Sequence, residues 1–335
     1  VLTVGAAVVV VLVLSGMPEG AGQAIRLADD AGKFSLGDFG PSLATSTFWV
    51  ILMYGVIMNL TNFGIDQNFV QRYHAAESDK AAGHSVWFGS LVYIPVALMF
   101  FFIGSILFSY GEANPEFLAE VKLEMVAADS PGLAKSSAEA MRLAGELEPS
   151  DYGDKVLPHF IANKIPAGLA GLLIAALFAA AMSSIDTSLN SSSTIALQDF
   201  YRRWFRPDAD EAQSLRFLRV MTVVWGIIGT GVALAMMGVE SILDAWWKLS
   251  GVFAGGMLGL FLLGFISRRA NNAGAVTGAT VGLLVILWLT FSTELTGDRE
   301  WLRSPFHAHM TSVIGTLSIF LIGLGASQVF GRKSD

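Results

Sequence analysis

The chain contains no cysteine in 335 residues. Disulfides are excluded, and any thiolate-ligated metal or cluster with them. Charge is also scarce: Asp, Glu, Lys and Arg together make up 15% of the residues, and the five histidines are scattered. No titratable constellation suited to catalysis stands out, and no phosphate-cradling glycine loop precedes a helix as ATP coupling would require. An enzyme is not expected, nor a nucleic-acid partner.

What abounds is apolar. Hydrophobic residues reach 53%, glycine numbers 35, and the mean hydropathy is +0.56. A bilayer-spanning helix needs about 20 apolar residues. Segments of that kind recur at eight places, roughly 1–17, 47–66, 86–110, 162–193, 216–238, 247–267, 273–293 and 308–330. One such segment alone is equally a buried core helix; eight in series predict an all-α integral membrane protein, multi-pass, in the cell's inner (plasma) membrane.

The charges orient it. Arg72, Lys80, Arg202, Arg203, Arg206, Arg268, Arg269, Arg332 and Lys333 fall in alternate connections and the tail. Between them lie acidic loops, chiefly 111–157, with Glu112, Glu116, Glu120, Glu124, Asp129, Glu139, Glu146, Glu148, Asp151 and Asp154. The positive-inside rule puts the basic set in the cytoplasm and the acidic insertion outside. Within 111–157, apolar residues at helical spacing predict two short surface helices, Glu116 to Val126 and Ser136 to Leu147, serving as a solvated outer domain or as a lid. The chain opens inside an apolar run without a methionine, so Val1 reads as the middle of a transmembrane helix. The expectation is a single transmembrane domain over 1–335, incomplete at its N-terminal side.

Two rows of glycine, at 251, 255, 259 and at 274, 278, 282, repeat at i, i+4, i+8. Each row lays a seam that lets helix backbones approach closely, or else reflects the glycine abundance of membrane helices.

Two polar constellations interrupt the apolar helices. Asn59, Asn62 and Asp66 share a helix face at i, i+3, i+7, beside Thr61. Buried amides need partners, which a polar cavity or a solute's hydroxyls supply. Asp66 and Gln67 read as structural, with Arg72 as the carboxylate's partner. The second constellation is sharper. Helix 162–199 is apolar to Met182 and then carries Ser183, Ser184, Asp186, Thr187, Ser188, Asn190 and Ser191. Ser183, Asp186, Thr187, Asn190 and Thr194 fall within about 100 degrees of one another at 100 degrees per residue. An ionisable residue and many hydroxyls at membrane depth mark an ion or substrate path. The alternative is back-bonding of each hydroxyl to its own helix.

The run AAAMSSIDTSLNSSSTIALQDFYRRW resembles the sodium-site helix of the sodium/solute symporter family, which includes transporters of the sodium–glucose and sodium–sialic acid type. DQNFVQRYHAAESDKAA resembles that family's cytoplasmic loop motif, and GGMLGLFLLGFISRRANNAGAVTGATVG its later helix pair. The resemblance implies a LeuT-type inverted-repeat helix bundle, here its C-terminal portion. It implies a symporter that couples Na⁺ to import of a sugar, sugar acid or organic acid by alternating access. It places the main sodium site at Ser183, Ser184 and the carbonyl of Ala180, and a possible second one at Asp186 and Thr187. On the substrate side Asn59 matches an asparagine that touches sugar, while Asn62, followed by Phe63, replaces an inner-gate tyrosine. A sugar-binding lysine falls at about Tyr93 and a glutamine near Trp247, so a galactose site is not carried over intact. Trp246, Trp247 and Tyr93 form an aromatic platform or act as interface anchors. A symporter-like sensor module, and a proton-coupled carrier using Asp186, are the alternatives.

Overall fold

The computed structural model describes residues 2–130, 132–237, 239, 242–295 and 297–330; the side chains of 242–245, 247, 248, 252, 254, 294, 297 and 298 lie outside the description. Arg332 and Lys333, expected on the cytoplasmic tail, fall outside the described residues.

Among the described residues there are helices and no strand. They are α1 (Leu2–Ser15), α2 (Ala21–Asp30), α3 (Phe48–Gly64), α4 (Gln67–His74), α5 (Asp79–Ala113), α6 (Pro115–Asp129), α7 (Ala138–Glu146), α8 (Pro149–Lys164), α9 (Ala167–Ile195), α10 (Glu211–Ala235), α11 (Ile242–Ile266), α12 (Asn272–Phe291) and α13 (Met310–Phe330). A π-helical stretch, Ala196–Phe205, continues α9. The spanning helices form because a backbone in hydrocarbon has no water to bond and must satisfy itself within the segment. Polar caps set several of their starts. Thr47, Asp66, Ser137, Asp210 and Asn271 each accept from a backbone N–H of the first turn that follows.

All eight expected apolar segments are helical, but fewer have bilayer length. Six described helices are long and apolar enough to span, namely α5, α9 with its π-helical continuation, α10, α11, α12 and α13. A seventh arises if α3 and α4, bent by 44°, count as one broken span. The described part of the first, Leu2–Ser15, has 14 residues. The segment expected at 162–193 begins later, because α8 ends at Lys164 and Pro166 separates it from α9. Proline cannot donate a backbone hydrogen bond, and it biases the residue before it away from helix.

The chain divides into two compact units: residues up to Ser35 with Gly83–Asp186, and Leu36–Ala82 with Thr187 onward. The core of the first unit joins Val9 and Val13 of α1, Ala24 of α2, Ile106 and Tyr110 of α5, Phe117 and Val121 of α6, and Phe160 of α8. The acidic insertion carries its two expected helices as α6 and α7. It adds a third, α8, whose first residue is Pro149, tolerated there because an N-terminal N–H has no helical partner.

In the second unit α13 lies against both glycine seams. A methyl group added at Gly278 would stand 2.7 Å from Gly323 Cα and 2.7 Å from the Ile319 carbonyl oxygen. One added at Gly259 would stand 2.7 Å from the Thr316 carbonyl. The two rows are therefore packing seams. Between them Thr316, fully buried, donates from Oγ1 to the Gly255 carbonyl at 2.9 Å.

Candidate functional site

Alanine and leucine dominate α9 up to Met182 and favour helix on propensity alone. Beyond it the hydroxyls tie back to their own helix. Ser184 Oγ donates to the Ala180 carbonyl at 3.2 Å, Ser193 Oγ to Leu189 at 2.7 Å and Thr194 Oγ1 to Asn190 at 2.8 Å. These bonds let a serine-rich stretch stay helical. They also fix where the oxygens stand. Ala180 O and Ser184 Oγ lie side by side one turn apart, and Ser183 is the next residue, with Ser183 and Ser184 both exposed. A small hard cation takes hydroxyl, carbonyl and carboxylate oxygens, and this face offers the first two kinds together.

Asp186 is exposed and Thr187 half-buried on the same helix. At 100 degrees per residue, Asp186 and Thr187 stand about 60 and 40 degrees from Ser183, whereas Asp186 is about 160 degrees from Ser184. Ser183 is thus common to two oxygen-bearing faces, one with Ala180 and Ser184, one with Asp186, Thr187 and Asn190.

Further along, serines turn inward. Gln71 of α4 donates from Nε2 to Ser191 Oγ at 2.9 Å, and Ser193, fully buried, lies 3.3 Å from Thr222 Oγ1 of α10. Arg202 donates to Ser214 Oγ at 2.9 Å, closing the π-helical end onto α10. These groups hold helices to one another, and motif spacing did not distinguish them from the exposed serines.

The asparagine face of α3 is shorter than its spacing suggests. α3 stops at Gly64, and Asp66 caps α4 by accepting from the Asn68 N–H at 2.7 Å. Asp66 is structural, as expected, but as a helix cap; among the described residues it makes no ion pair with Arg72. The Tyr73 hydroxyl reaches back across the break to the Phe63 carbonyl at 3.1 Å, and the Phe63 and Phe69 rings lie 5.0 Å apart. Aspartate immediately before a helical pattern is a cap signature the sequence did contain. The Tyr73 brace carried no such signal. Asn59 donates from Nδ2 to the Gly55 carbonyl at 2.7 Å and lines an open depression of about 480 Å³ with Phe48, Ile51, Leu52, Gly55 and Val56. Asn62 is half-buried. Tyr93, 71% exposed, belongs to the first unit, and Trp246 is 58% exposed. The Trp247 side chain lies outside those described. No three histidine, aspartate or glutamate side chains gather as a metal centre among the described residues.

A sequence profile of the sodium:solute symporter family matches residues 2–282. The chain belongs to this family. The Aliivibrio fischeri sodium/sialic acid symporter NanT is 29% identical over 332 residues, 98% of this chain and 58% of its own length. The Proteus mirabilis sodium/sialic acid symporter SiaT is 28% identical, over 98% of this chain and 59% of its own. Among solved structures, the substrate-bound outward-open state of a Na⁺-coupled sialic acid symporter superposes with a TM-score of 0.77 at 27% identity, covering 98% of this chain and 60% of that one. The chain spans about three fifths of the length of the curated relatives it matches. The fold is thus the LeuT-type helical bundle, in a multi-pass membrane protein.

Proposed function

We propose that the chain acts, as one transmembrane transporter domain, in a sodium-coupled symporter that imports a small polar solute across the plasma membrane. A sugar acid of the sialic acid kind is the first substrate to test, because the similar symporters named above act on sialic acid. The observation that carries the reading is the pair of oxygens on α9, Ala180 O and Ser184 Oγ, 3.2 Å apart beside Ser183. In this reading those three residues contribute to the main sodium site, and Asp186 with Thr187 to a second cation position. Asn59, Asn62, Phe63, Tyr93 and Trp247 belong to the substrate side.

Coupling follows from differential binding. Sodium shifts the transporter toward an outward-open state only by as much as it binds that state more tightly. Solute then joins near the bilayer midplane, where broken helices and repeat interfaces place such sites. Rocking of one helix set against another delivers both inside. The membrane potential adds about 2.3 kcal/mol per charge per 100 mV. No bond is made or broken.

The test is uptake of labelled sialic acid, neutral sugars and monocarboxylates by the full-length protein in proteoliposomes, with sodium or choline outside. Sodium-dependent uptake of a sugar acid, weakened in Ser184→Ala, is the expected result. Uptake indifferent to sodium but driven by a pH gradient would overturn sodium coupling and move that role to Asp186. Binding of solute without uptake would identify a sensor.

A further inference from the structure

The acidic insertion holds a titratable group that the transport reading does not use. His159 of α8 is a buried side chain, 5% exposed, facing α6. Its Nδ1 lies 2.7 Å from Glu124 Oε2, and its Nε2 lies 3.6 Å from Glu120 Oε2. Nε2 is closed off from solvent and makes no hydrogen bond. The Phe117 ring covers the imidazole edge, with centroids 5.3 Å apart.

The protonation pattern follows from the donors present. An ionised carboxylate only accepts, so at 2.7 Å Nδ1 must carry a proton. The Asn163 amide, 3.2 Å from the same nitrogen, is a donor too, and it is served by the His159 carbonyl at 3.1 Å. Everything then turns on Nε2. In a neutral ring it is a lone pair, buried without a partner and turned toward a carboxylate, which is costly. In an imidazolium it is a second N–H⁺, and the contact with Glu120 becomes attractive. A metal would need more ligands than gather here, so a proton is the cation this arrangement fits.

We propose that His159 is a proton-operated latch between α6 and α8: charged, it bridges Glu120 and Glu124; neutral, it releases Glu120 and the two helices loosen. The other charges around it are few. Lys135, between α6 and α7, lies 3.5 Å from Glu124. Lys164 stands over the Phe117 ring at 5.8 Å, and Lys155, one turn before His159, is exposed. From α8 the chain passes through Ile165 and Pro166 directly into α9, which carries Ala180, Ser183 and Ser184. The latch helix is thus joined in sequence to the helix of the proposed cation site.

The sign is set on both sides. On the basic side, losing the second N–H of the ring removes the attraction to Glu120, and the latch opens. At the acid end, the hydrogen bond from His159 above all, opposed by partial burial and helped by Lys135, holds the Glu124 carboxyl below its ordinary value. That arm persists into acid and is lost only as pH falls through the lowered value.

The test is a distance, independent of whether the transport reading stands. Spin labels at Glu116→Cys on α6 and Asp154→Cys on α8, both exposed positions, are placed in the full-length protein in lipid nanodiscs. Pulsed paramagnetic resonance then gives their separation from pH 5.5 to 8.5. The expected result is a narrow distribution at pH 5.5 that broadens and lengthens at pH 8.5, and a His159→Gln variant insensitive to pH. Glu120 is 57% exposed, so Glu120→Gln should keep the fold, and it should leave the distribution as broad at pH 5.5 as at pH 8.5, because the charged ring then has no second carboxylate to hold. A wild-type distribution unchanged with pH would overturn the latch, as would a pH response that survives His159→Gln. Should His159→Gln fail to fold, Glu120→Gln decides, and a Glu120→Gln distribution that still narrows at pH 5.5 overturns the proposal.

Discussion

Gly274, Gly278 and Gly282 on α12 and Ser183, Ser184 and Ser188 on α9 are both rows of small residues in apolar helices, yet the glycine row is buried and the serine row exposed. Against α12, the backbone of α13 comes so near that no side chain fits at Gly278. Along α9, each small residue carries an oxygen, and one of them sits 3.2 Å from a carbonyl of the preceding turn. Smallness serves two ends here. Without a polar atom it brings backbones together, which lipid-soluble helices need because hydrocarbon gives them no hydrophobic drive to associate. With a hydroxyl it sets an exposed oxygen on a helix otherwise made for lipid.

The largest effect expected on this contrast is from one methyl group. Gly278→Ala drives a Cβ to 2.7 Å from two backbone atoms of α13, which cannot rotate away. Overpacking of this kind costs about 1–3 kcal/mol, and thermal unfolding in detergent should register it. Gly264→Ala in α11, where a Cβ meets nothing within 4 Å, is the control. It should be neutral or gain up to about 1 kcal/mol from helix propensity. Equal losses at both sites would erase the difference between seam and surface.

Next comes the serine row. Ser184→Ala should raise the sodium concentration for half-maximal uptake about tenfold, equivalent to about 1.4 kcal/mol, with thermal stability little changed. Ser193→Ala, at a fully buried hydroxyl bonded to Leu189 and near Thr222, should do the reverse. It should lower stability by about 0.5–1.5 kcal/mol and leave the sodium dependence in place. A sodium effect of the same size in both variants would show that the two serines are not doing different work.

Both seams were readable before the structure, because spacing of four is a geometric statement about one face. The resemblance singled out Ala180, Ser183 and Ser184, and in the structure Ser183 and Ser184 are exposed and Ser184 bonds to the Ala180 carbonyl. What spacing did not carry is environment. Ser184 and Ser191 are seven residues apart, close to two whole turns, yet one is exposed and the other is held by Gln71, 120 positions away in sequence. The break after Gly64 was hidden for the same reason: Asn59, Asn62 and Asp66 fit a continuous helix as well as a bent pair. His159 gave no signal, since its meaning comes from two glutamates on another helix.

The smallest effects should come from polar atoms that support each kind of packing. Thr316→Val keeps the shape at the seam and removes the bond to the Gly255 carbonyl. Interhelical bonds in membranes average about 0.6 kcal/mol and reach about 1.7, so the loss should be well below that of Gly278→Ala. That carbonyl also faces an intrahelical N–H, and a second lone pair left unfilled is a milder defect than a methyl group pressed on a backbone. Asp66→Ala removes the α4 cap, and a cap is commonly worth about 1 kcal/mol. Its cost should be local. α4 has eight residues, and its ties to the rest include Gln71 to Ser191 and Tyr73 to Phe63. Faster amide exchange in residues 67–74, with α12 and α13 unchanged, is the result expected. If uncapping α4 instead loosened α12 and α13 as Gly278→Ala does, the bent pair and the glycine-seamed trio would be one cooperative structure, and the contrast between a packed seam and an oxygen-bearing helix would have to be drawn elsewhere in the chain.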